Sequence, residues 1–128
     1  MTIKQDLADL AELIRERELA GDAAIRQRFG ALVVQAETMR LNSYRGLSRA
    51  ITTGIPGPEG SIAKWQWADI NQGLTELAME VRGADAPLTD DAWSYRFLRA
   101  RANSIEGGTT EIQKNILAER VLGLPELR

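Results

Sequence analysis

Residues 22–54 read DAAIRQRFGALVVQAETMRLNSYRGLSRAITTG, and their apolar positions recur at helical spacing. The recurring positions are Ile25, Phe29, Leu32, Ala36, Met39, Ser43, Leu47 and Ala50. This spacing places them on one face of an α-helix of about seven turns. Asp22 offers an N-cap for this helix, and Gly54 offers an end to it. The sequence therefore predicts one long helix between Asp22 and Gly54.

The same period continues on both sides of this helix and predicts four more. The apolar positions are Ile3, Leu7, Leu10 and Ile14 in the first; Ala63, Trp67, Ile70, Leu74, Leu77 and Val81 in the third; Trp93, Phe97 and Ala100 in the fourth; and Ile112, Ile116, Leu117 and Val121 in the fifth. Alternation typical of strands is nowhere sustained. We expect an all-α fold, an antiparallel helical bundle of the four-helix up-and-down type with an additional short helix, in a single domain over residues 1–128.

Capping residues and breakers set the predicted helix boundaries. Thr2 and Gln5 form a predicted capping box, and Gly21 is predicted to end the first helix. The later signals are Gly54 to Gly60 as the clearest break, Ser61 as a cap, Gly83 as an end, Thr89 as a cap with Asp90 and Asp91 in its first turn, Gly107-Gly108 as a break, Thr109 or Thr110 as a cap, and Gly123-Leu124-Pro125 as the last end. These breaks come too often for a continuous coiled-coil rod.

Composition excludes several kinds of chemistry. The 128 residues contain no cysteine and no histidine, so disulfides, thiol nucleophiles, iron–sulfur clusters and imidazole metal ligands are excluded, and no metal site is predicted. Sixteen Lys and Arg against eighteen Asp and Glu give a net charge of −2, which favours neither nucleic acid nor an anionic membrane as a partner. With a polar N-terminus and no apolar run of roughly 18 residues, the sequence predicts a soluble, cytoplasmic protein.

Trp65 and Trp67 stand two residues apart and so cannot share one face of the third helix. One interpretation is a second buried contact of that helix with another domain or subunit. The other is a tryptophan that lies flat on the surface of the bundle.

The stretch most suggestive of chemistry is residues 101–113, RANSIEGGTTEIQ. Gly107 and Gly108 stand directly before a capped helix, so they expose backbone amides suited to an anion or an acceptor oxygen, with Glu106 placed as a possible base. An ordinary helix–helix turn explains the same residues. The stretch is not a P-loop, because no Lys-Ser/Thr pair follows the glycines.

Two groups of arginines each allow more than one interpretation. Arg96, Arg99 and Arg101 could meet a phosphate or a carboxylate of a partner, or form a solvated helix face. The second group, Arg40, Arg45 and Arg49, allows the same alternatives.

Residues 105–125 resemble the C-terminal end of an acyl-CoA dehydrogenase. Gly108 to Gln113, GTTEIQ, is similar to that family's Gly-Thr-Ser-Glu-Ile-Gln signature, and Ser61 to Lys64 resembles its entry to the third helix of the C-terminal bundle. Residues 26–28 and 36–41 lie where the family has its long second helix. The resemblance covers nearly the whole chain and implies the fold of that C-terminal domain, of the bacterial type.

The resemblance also implies a reaction. These flavoenzymes desaturate an acyl-CoA thioester: a carboxylate removes the α-proton while the β-hydrogen leaves as hydride to FAD. Flavin contacts carry over to Gly108, Thr109 and Glu111, and FAD is expected between this bundle, a middle β-domain and a neighbouring subunit. Acyl-CoA, an electron-transfer flavoprotein and further copies in an oligomer are the implied partners.

The chain departs from the family pattern at three points. Many members place the catalytic glutamate four residues before the Glu of Glu-Ile-Gln, where this chain has Gly107, so Glu106 is a candidate base offset by one position. The family's flavin-contacting glutamine falls near Met79, and only Gly83 matches the glycine loop that follows it. Family enzymes are also much longer than this chain. The sequence therefore predicts a C-terminal domain or truncated form that is inactive in isolation.

An alternative of another class is a non-catalytic helical assembly module that self-associates or completes a partner subunit's flavin site. The Trp65 and Trp67 side of the third helix and the missing base favour it. A third interpretation is an anion-binding bundle that uses the turn at Gly107-Gly108 for phosphate.

Overall fold

The structure, a computed structural model, describes residues 2–55, 57–88 and 91–125. For residues 85, 87 and 88 it describes the backbone only. These residues form α1 (Ile3–Glu16), α2 (Ala23–Thr53), α3 (Glu59–Arg82), α4 (Ala92–Ala100) and α5 (Thr110–Arg120). Short 3₁₀ helices span Gly83–Leu88 and Arg101–Ser104. Within this part of the chain there is no strand, which confirms the all-α prediction.

Side-chain caps begin two of the helices as the sequence predicts. The Thr2 hydroxyl accepts from the Gln5 amide at 3.3 Å, and the Asp22 carboxylate accepts from the Ile25 amide at 2.9 Å. In a full capping box the Gln5 side chain would also bind the backbone amide of Thr2. Here it donates to Asp9 at 2.8 Å instead. The caps therefore use the short oxygen acceptors, as helix N-termini generally do.

The predicted end of the first helix and the predicted start of the third need correction. α1 ends at Glu16 instead of near Gly21, because Glu18 takes a left-handed conformation (φ 57°) and the chain turns back onto the last carbonyls of the helix. α3 begins two residues before Ser61, with Pro58 as N-cap and its carbonyl accepting the first intrahelical bonds.

The start of α4 differs in a similar way. Asp91, expected in the first turn, is the N-cap itself and accepts from the Ser94 amide at 3.0 Å. The predicted cap Thr89 and its neighbour Asp90 lie outside the described residues.

Helix α3 is the centre of the bundle, because it contacts α1, α2, α4 and α5. It packs antiparallel to α2, since contacting residue numbers rise along one helix as they fall along the other. The pairs are Arg28 with Glu80, Leu32 with Gly73, Asn42 with Gln66 and Gly46 with Glu59. At Gly46 the two helices approach so closely that an added Cβ would lie 2.9 Å from the Cβ of Glu59.

The buried core follows the predicted stripes of α1 and α3. Its members are Leu10, Ile14, Ile25, Leu32, Ile70, Leu74, Leu77, Ala78 and Val81. The stripes of α2 and α5 are less buried than expected: Leu47 is 57% exposed, and Ile112 and Val121 are half exposed. In α2 this follows from geometry, because α1 contacts that helix only slightly and its second half packs on α3 through Asn42 and Gly46.

The two tryptophans of α3 are both half buried within the chain, and the contact with another domain or subunit that they suggested stays a prediction. Trp67 lines a cavity of about 200 Å³ together with Ile3 and Trp93. Trp65 lies under the ammonium of Lys114, 5.5 Å from its ring centre. None of the described helices is long and apolar enough to cross a membrane.

Candidate functional site

The chain between α4 and α5 makes a tight turn at the two glycines. After the 3₁₀ segment Arg101–Ser104, Gly107 and Gly108 have φ values of 66° and 93°, a left-handed region that side chains with a Cβ rarely adopt. Thr109 then caps α5 by accepting from the Ile112 amide at 3.2 Å. The predicted cap at Thr109 is confirmed, and the chain does turn at the glycines. The predicted end of α4 at these glycines is wrong, because α4 ends at Ala100 and a 3₁₀ segment lies between.

Gln113 folds back over this turn. Its side-chain amide donates to the carbonyl of Gly107 at 3.2 Å and lies 2.7 Å from where a Cβ on Gly108 would be. The backbone conformation of Gly108 therefore favours glycine, and a Cβ there would also displace the side-chain amide of Gln113. This contact explains in physical terms why a glycine and a glutamine stand five residues apart in the GTTEIQ stretch.

Glu106 precedes the glycines and is exposed. One carboxylate oxygen accepts from Arg99 at 2.7 Å, and the other accepts from the Asn103 amide at 2.7 Å. The hydrogen bond from Arg99, followed by that from Asn103, lowers the pKa of Glu106. Since a lowered pKa weakens a base, this carboxylate is a weaker base than an ordinary glutamate while Arg99 and Asn103 bind it.

The three residues expected at a flavin lie together on this turn. Gly108 and Thr109 are half buried, and Glu111 is exposed in the first turn of α5. A hydrogen bond from its own backbone N–H, and then one from Thr109, lower the pKa of Glu111. The neighbouring Thr110 is buried with its hydroxyl lacking a hydrogen-bond partner among the described residues. The turn thus offers a positive helix end beside two anionic side chains.

Polar residues on α3 support the turn, and no sequence motif had singled them out as site residues. Lys64 donates to the carbonyl of Asn103 at 2.9 Å, Asn71 donates to the Asn103 side chain at 2.5 Å, and Gln72 donates to the carbonyl of Ala100 at 3.0 Å. Their spacing along the chain gives a weak signal, because positions 64, 71 and 72 share one helical face. This face of α3 packs against the chain that follows α4, and only the folded structure shows this contact.

In the two arginine groups, every member except Arg49 forms an ion pair within the described part of the chain. Arg96 contacts Asp6 and Asp9 of α1, and Arg101 contacts Glu76 of α3. In the second group Arg40 pairs with Glu37, and Arg45 lies 3.6 Å from Glu59. Burial raises the pKa of Asp6 more strongly than Arg96 lowers it. The described partners are thus carboxylates of the same chain. Over residues 2–55, 57–88 and 91–125, no group of metal-binding side chains is large enough to hold an ion.

Comparison with known proteins gives a consistent result along the whole chain. A family model described as "Acyl-CoA dehydrogenase, C-terminal domain" matches residues 3–122. The acyl-CoA dehydrogenase IpdE1 of Mycobacterium tuberculosis is 37% identical over 126 residues, covering 94% of this chain and 32% of that protein. IpdE1 of Mycolicibacterium smegmatis is 39% identical over 123 residues, covering 92% and 30%.

A solved structure shares the fold. The chain described as "Tcur3481-Tcur3483 steroid ACAD" superposes with a TM-score of 0.81 at 14% identity, covering 98% of this chain and 35% of that one. The present chain spans about a third of the length of these similar proteins. The matched region includes the turn at Gly107-Gly108 and both of its flanking helices.

Proposed function

The chain belongs to the acyl-CoA dehydrogenase family, whose C-terminal domain it matches, and from that membership we propose that its turn at Gly107-Gly108 serves FAD-dependent α,β-desaturation of an acyl-CoA. One observation carries the proposal. The residues that the family resemblance assigns to flavin contact, Gly108, Thr109 and Glu111, meet on one turn at the start of a helix. A cytoplasmic location and an electron-transfer flavoprotein as partner belong to the same proposal.

The turn fits a flavin group by its shape and charge. Gly108 has no Cβ, and the positive end of α5 favours an acceptor oxygen of the cofactor. In this proposal Gly108 and Thr109 contact the flavin through the backbone, and Glu111 contacts it from the first turn of α5. FAD, when bound, supplies the acceptor for the β-hydrogen. The chain's own part is to hold one edge of the cofactor.

The base for the α-proton is proposed at Glu106. Its carboxylate is bound by Arg99 and Asn103, so proton removal requires that bound substrate separate it from Arg99. Arg99 is itself exposed and can move into solvent at little cost.

We predict weak and local flavin binding by the 128-residue chain. Added FAD should shift the amide resonances of Gly108, Thr109 and Glu111 in an NMR titration, yet gel filtration should remove it, because the chain holds only one edge of the cofactor. Inorganic phosphate is the control: equal shifts with phosphate alone would favour the anion-binding interpretation. Flavin that remains on the chain near one equivalent after gel filtration would contradict the prediction of weak binding, and an absence of shifts at the turn would contradict the proposed contact.

The alternative of an assembly module has an observation in its favour. Five apolar side chains on the outer face of α2 are each more than half exposed, and we call them the α2 stripe: Val34, Leu41, Tyr44, Leu47 and Ile51. An exposed apolar stripe of this length is typical of a surface that another protein covers. We propose self-association through it, which is compatible with the flavin role.

Self-association can be measured by sedimentation velocity. We expect the chain to form oligomers, and the double variant Leu41→Ser and Ile51→Ser to shift them to monomer, because both changes remove apolar area from the α2 stripe. Leu98→Ser on α4 is the matched control, since Leu98 is 71% exposed but lies away from the stripe. A parent chain that is monomeric at high concentration would rule out this interface.

A further inference from the structure

The end of α4 leaves carbonyl groups that its own helix cannot satisfy. The last carbonyls of any helix lack intrahelical donors, and here the chain also tightens into a 3₁₀ segment and then breaks at the glycines. The carbonyl of Ala100 accepts from Gln72, and the carbonyl of Asn103 accepts from Lys64 at 2.9 Å. Side chains of the central helix therefore complete the ending of α4.

Lys64 differs from the other donors because it carries a charge. A charge-assisted hydrogen bond is about twice as strong as a neutral one, and a cation is favourable at the negative end of a helix. Asn103, whose carbonyl it holds, is buried at 2% exposure and in turn donates to Glu106 at 2.7 Å. The ammonium of Lys64 thus holds Asn103, and the side chain of Asn103 in turn holds the carboxylate of Glu106.

The ammonium of Lys64 also lies beneath the turn. An added Cβ on Gly107 would be 3.8 Å from the Cε of Lys64, which places the end of this side chain against the inner side of the turn. After the larger effects of their hydrogen bonds, the charge of Lys64 contributes to the lowered pKa of Glu106 and of Glu111. The charge of Lys64 therefore favours the ionised form of both carboxylates that flank the glycines, as the smallest of several contributions.

We propose that Lys64 is a positioning residue of the turn between α4 and α5, which it holds by binding the carbonyl of Asn103 from below. Its consequence for the cofactor rests on the proposed function, because an ordered turn is what would present Gly108 and Thr109 to a flavin. Lys64 does not itself contact the flavin in this proposal.

The first measurement needs no ligand. The amides of Ile105 and Glu106 both donate to the carbonyl of Ala102 at 2.9 Å, so their hydrogen exchange reports order in the turn. In Lys64→Met we expect their exchange to be about tenfold faster, as the loss of a charge-assisted bond predicts. Lys64→Arg, which keeps the charge and a donor, should restore most of the protection.

Lys4→Met is the matched control, because it removes the same charge from an exposed position on α1. Its exchange at Ile105 and Glu106 should equal that of the parent chain, and exchange in α2 should be unchanged in every variant. Lys64→Gln is the second neutral variant and takes the place of the methionine variant if that one does not fold. Unchanged exchange at both amides in the neutral variants would overturn the proposal, as would equally fast exchange in Lys64→Arg.

The second measurement separates this proposal from the flavin contact. In FAD titrations followed by the amides of Gly108 and Thr109, Lys64→Met should bind about tenfold more weakly than the parent chain, and Lys64→Arg within about threefold of it. If exchange rises in Lys64→Met while FAD shifts no resonance of the parent chain, the positioning role stands and the proposed flavin contact fails. If FAD binds the parent chain and Lys64→Met equally while exchange is unchanged, the positioning role fails and the flavin contact stands.

Discussion

Replacing Leu74 by alanine is expected to lower the free energy of unfolding by about 4 kcal/mol, in the upper half of the range for buried leucines. Leu74 is fully buried at the middle of α3, the helix that contacts all four others. It also borders the cavity of about 200 Å³ beside Trp67, so its truncation would enlarge an existing space. Such a loss is a large share of the stability of a domain of this size.

Chemical denaturation followed by circular dichroism measures this effect. Leu98→Ala is the control of identical chemistry, because Leu98 is 71% exposed on α4 and should cost less than about 1 kcal/mol. A loss under about 1.5 kcal/mol for Leu74→Ala would contradict the central position of α3.

Replacing Asp91 by alanine is expected to cost about 3 kcal/mol, because that carboxylate has two roles. One oxygen caps α4 at the Ser94 amide, and the other pairs with Arg82 at 2.5 Å. The Arg82 side chain is 6% exposed, so the alanine variant leaves a buried guanidinium without this carboxylate. Asp91→Asn keeps a capping oxygen while it removes the charge, and it should cost about half as much.

The same residue predicts a dependence of stability on pH. The hydrogen bond from the Ser94 amide, with a smaller contribution from Arg82, lowers the pKa of Asp91 in the folded chain. The unfolded chain therefore binds the proton more readily, and this stabilisation is complete above about pH 4 and is lost as the pH falls further. Denaturation series between about pH 2 and pH 6 should show a shallower fall for Asp91→Asn than for the parent chain. Parallel curves would contradict the assignment.

Much of the fold could be predicted because helical periodicity and capping are local properties. The spacing of Leu10 and Ile14, the cap at Asp22 and the break at Gly54 each depend on residues within one or two turns. Boundaries failed where a residue took an uncommon role. Glu18 took the left-handed position usually left to glycine, and Pro58 preceded the serine expected as a cap.

The candidate site also has a part that depends on local sequence and a part that depends on packing. Gly108, Thr109 and Glu111 could be proposed from the sequence because they lie in one continuous motif, which also predicted the helix start that they share. The contact between Lys64 and Asn103 could not be predicted, because the two residues are 39 positions apart and meet only when α3 packs against the end of α4.

The sequence by itself determined which segments are helical, where the glycine turn lies and which family the chain resembles, since these depend on local spacing and on motif identity. The tertiary structure alone decided that α3 is central, that Trp65 and Trp67 are both half buried, and that the apolar side chains of the α2 stripe are exposed. It also decided that Glu106 is bound by Arg99. Helical periodicity predicts which face of a helix is apolar, but it does not predict how many other helices pack on that face. The sequence likewise shows that a carboxylate is present but does not predict which cation binds it. Both are settled by packing between distant parts of the chain.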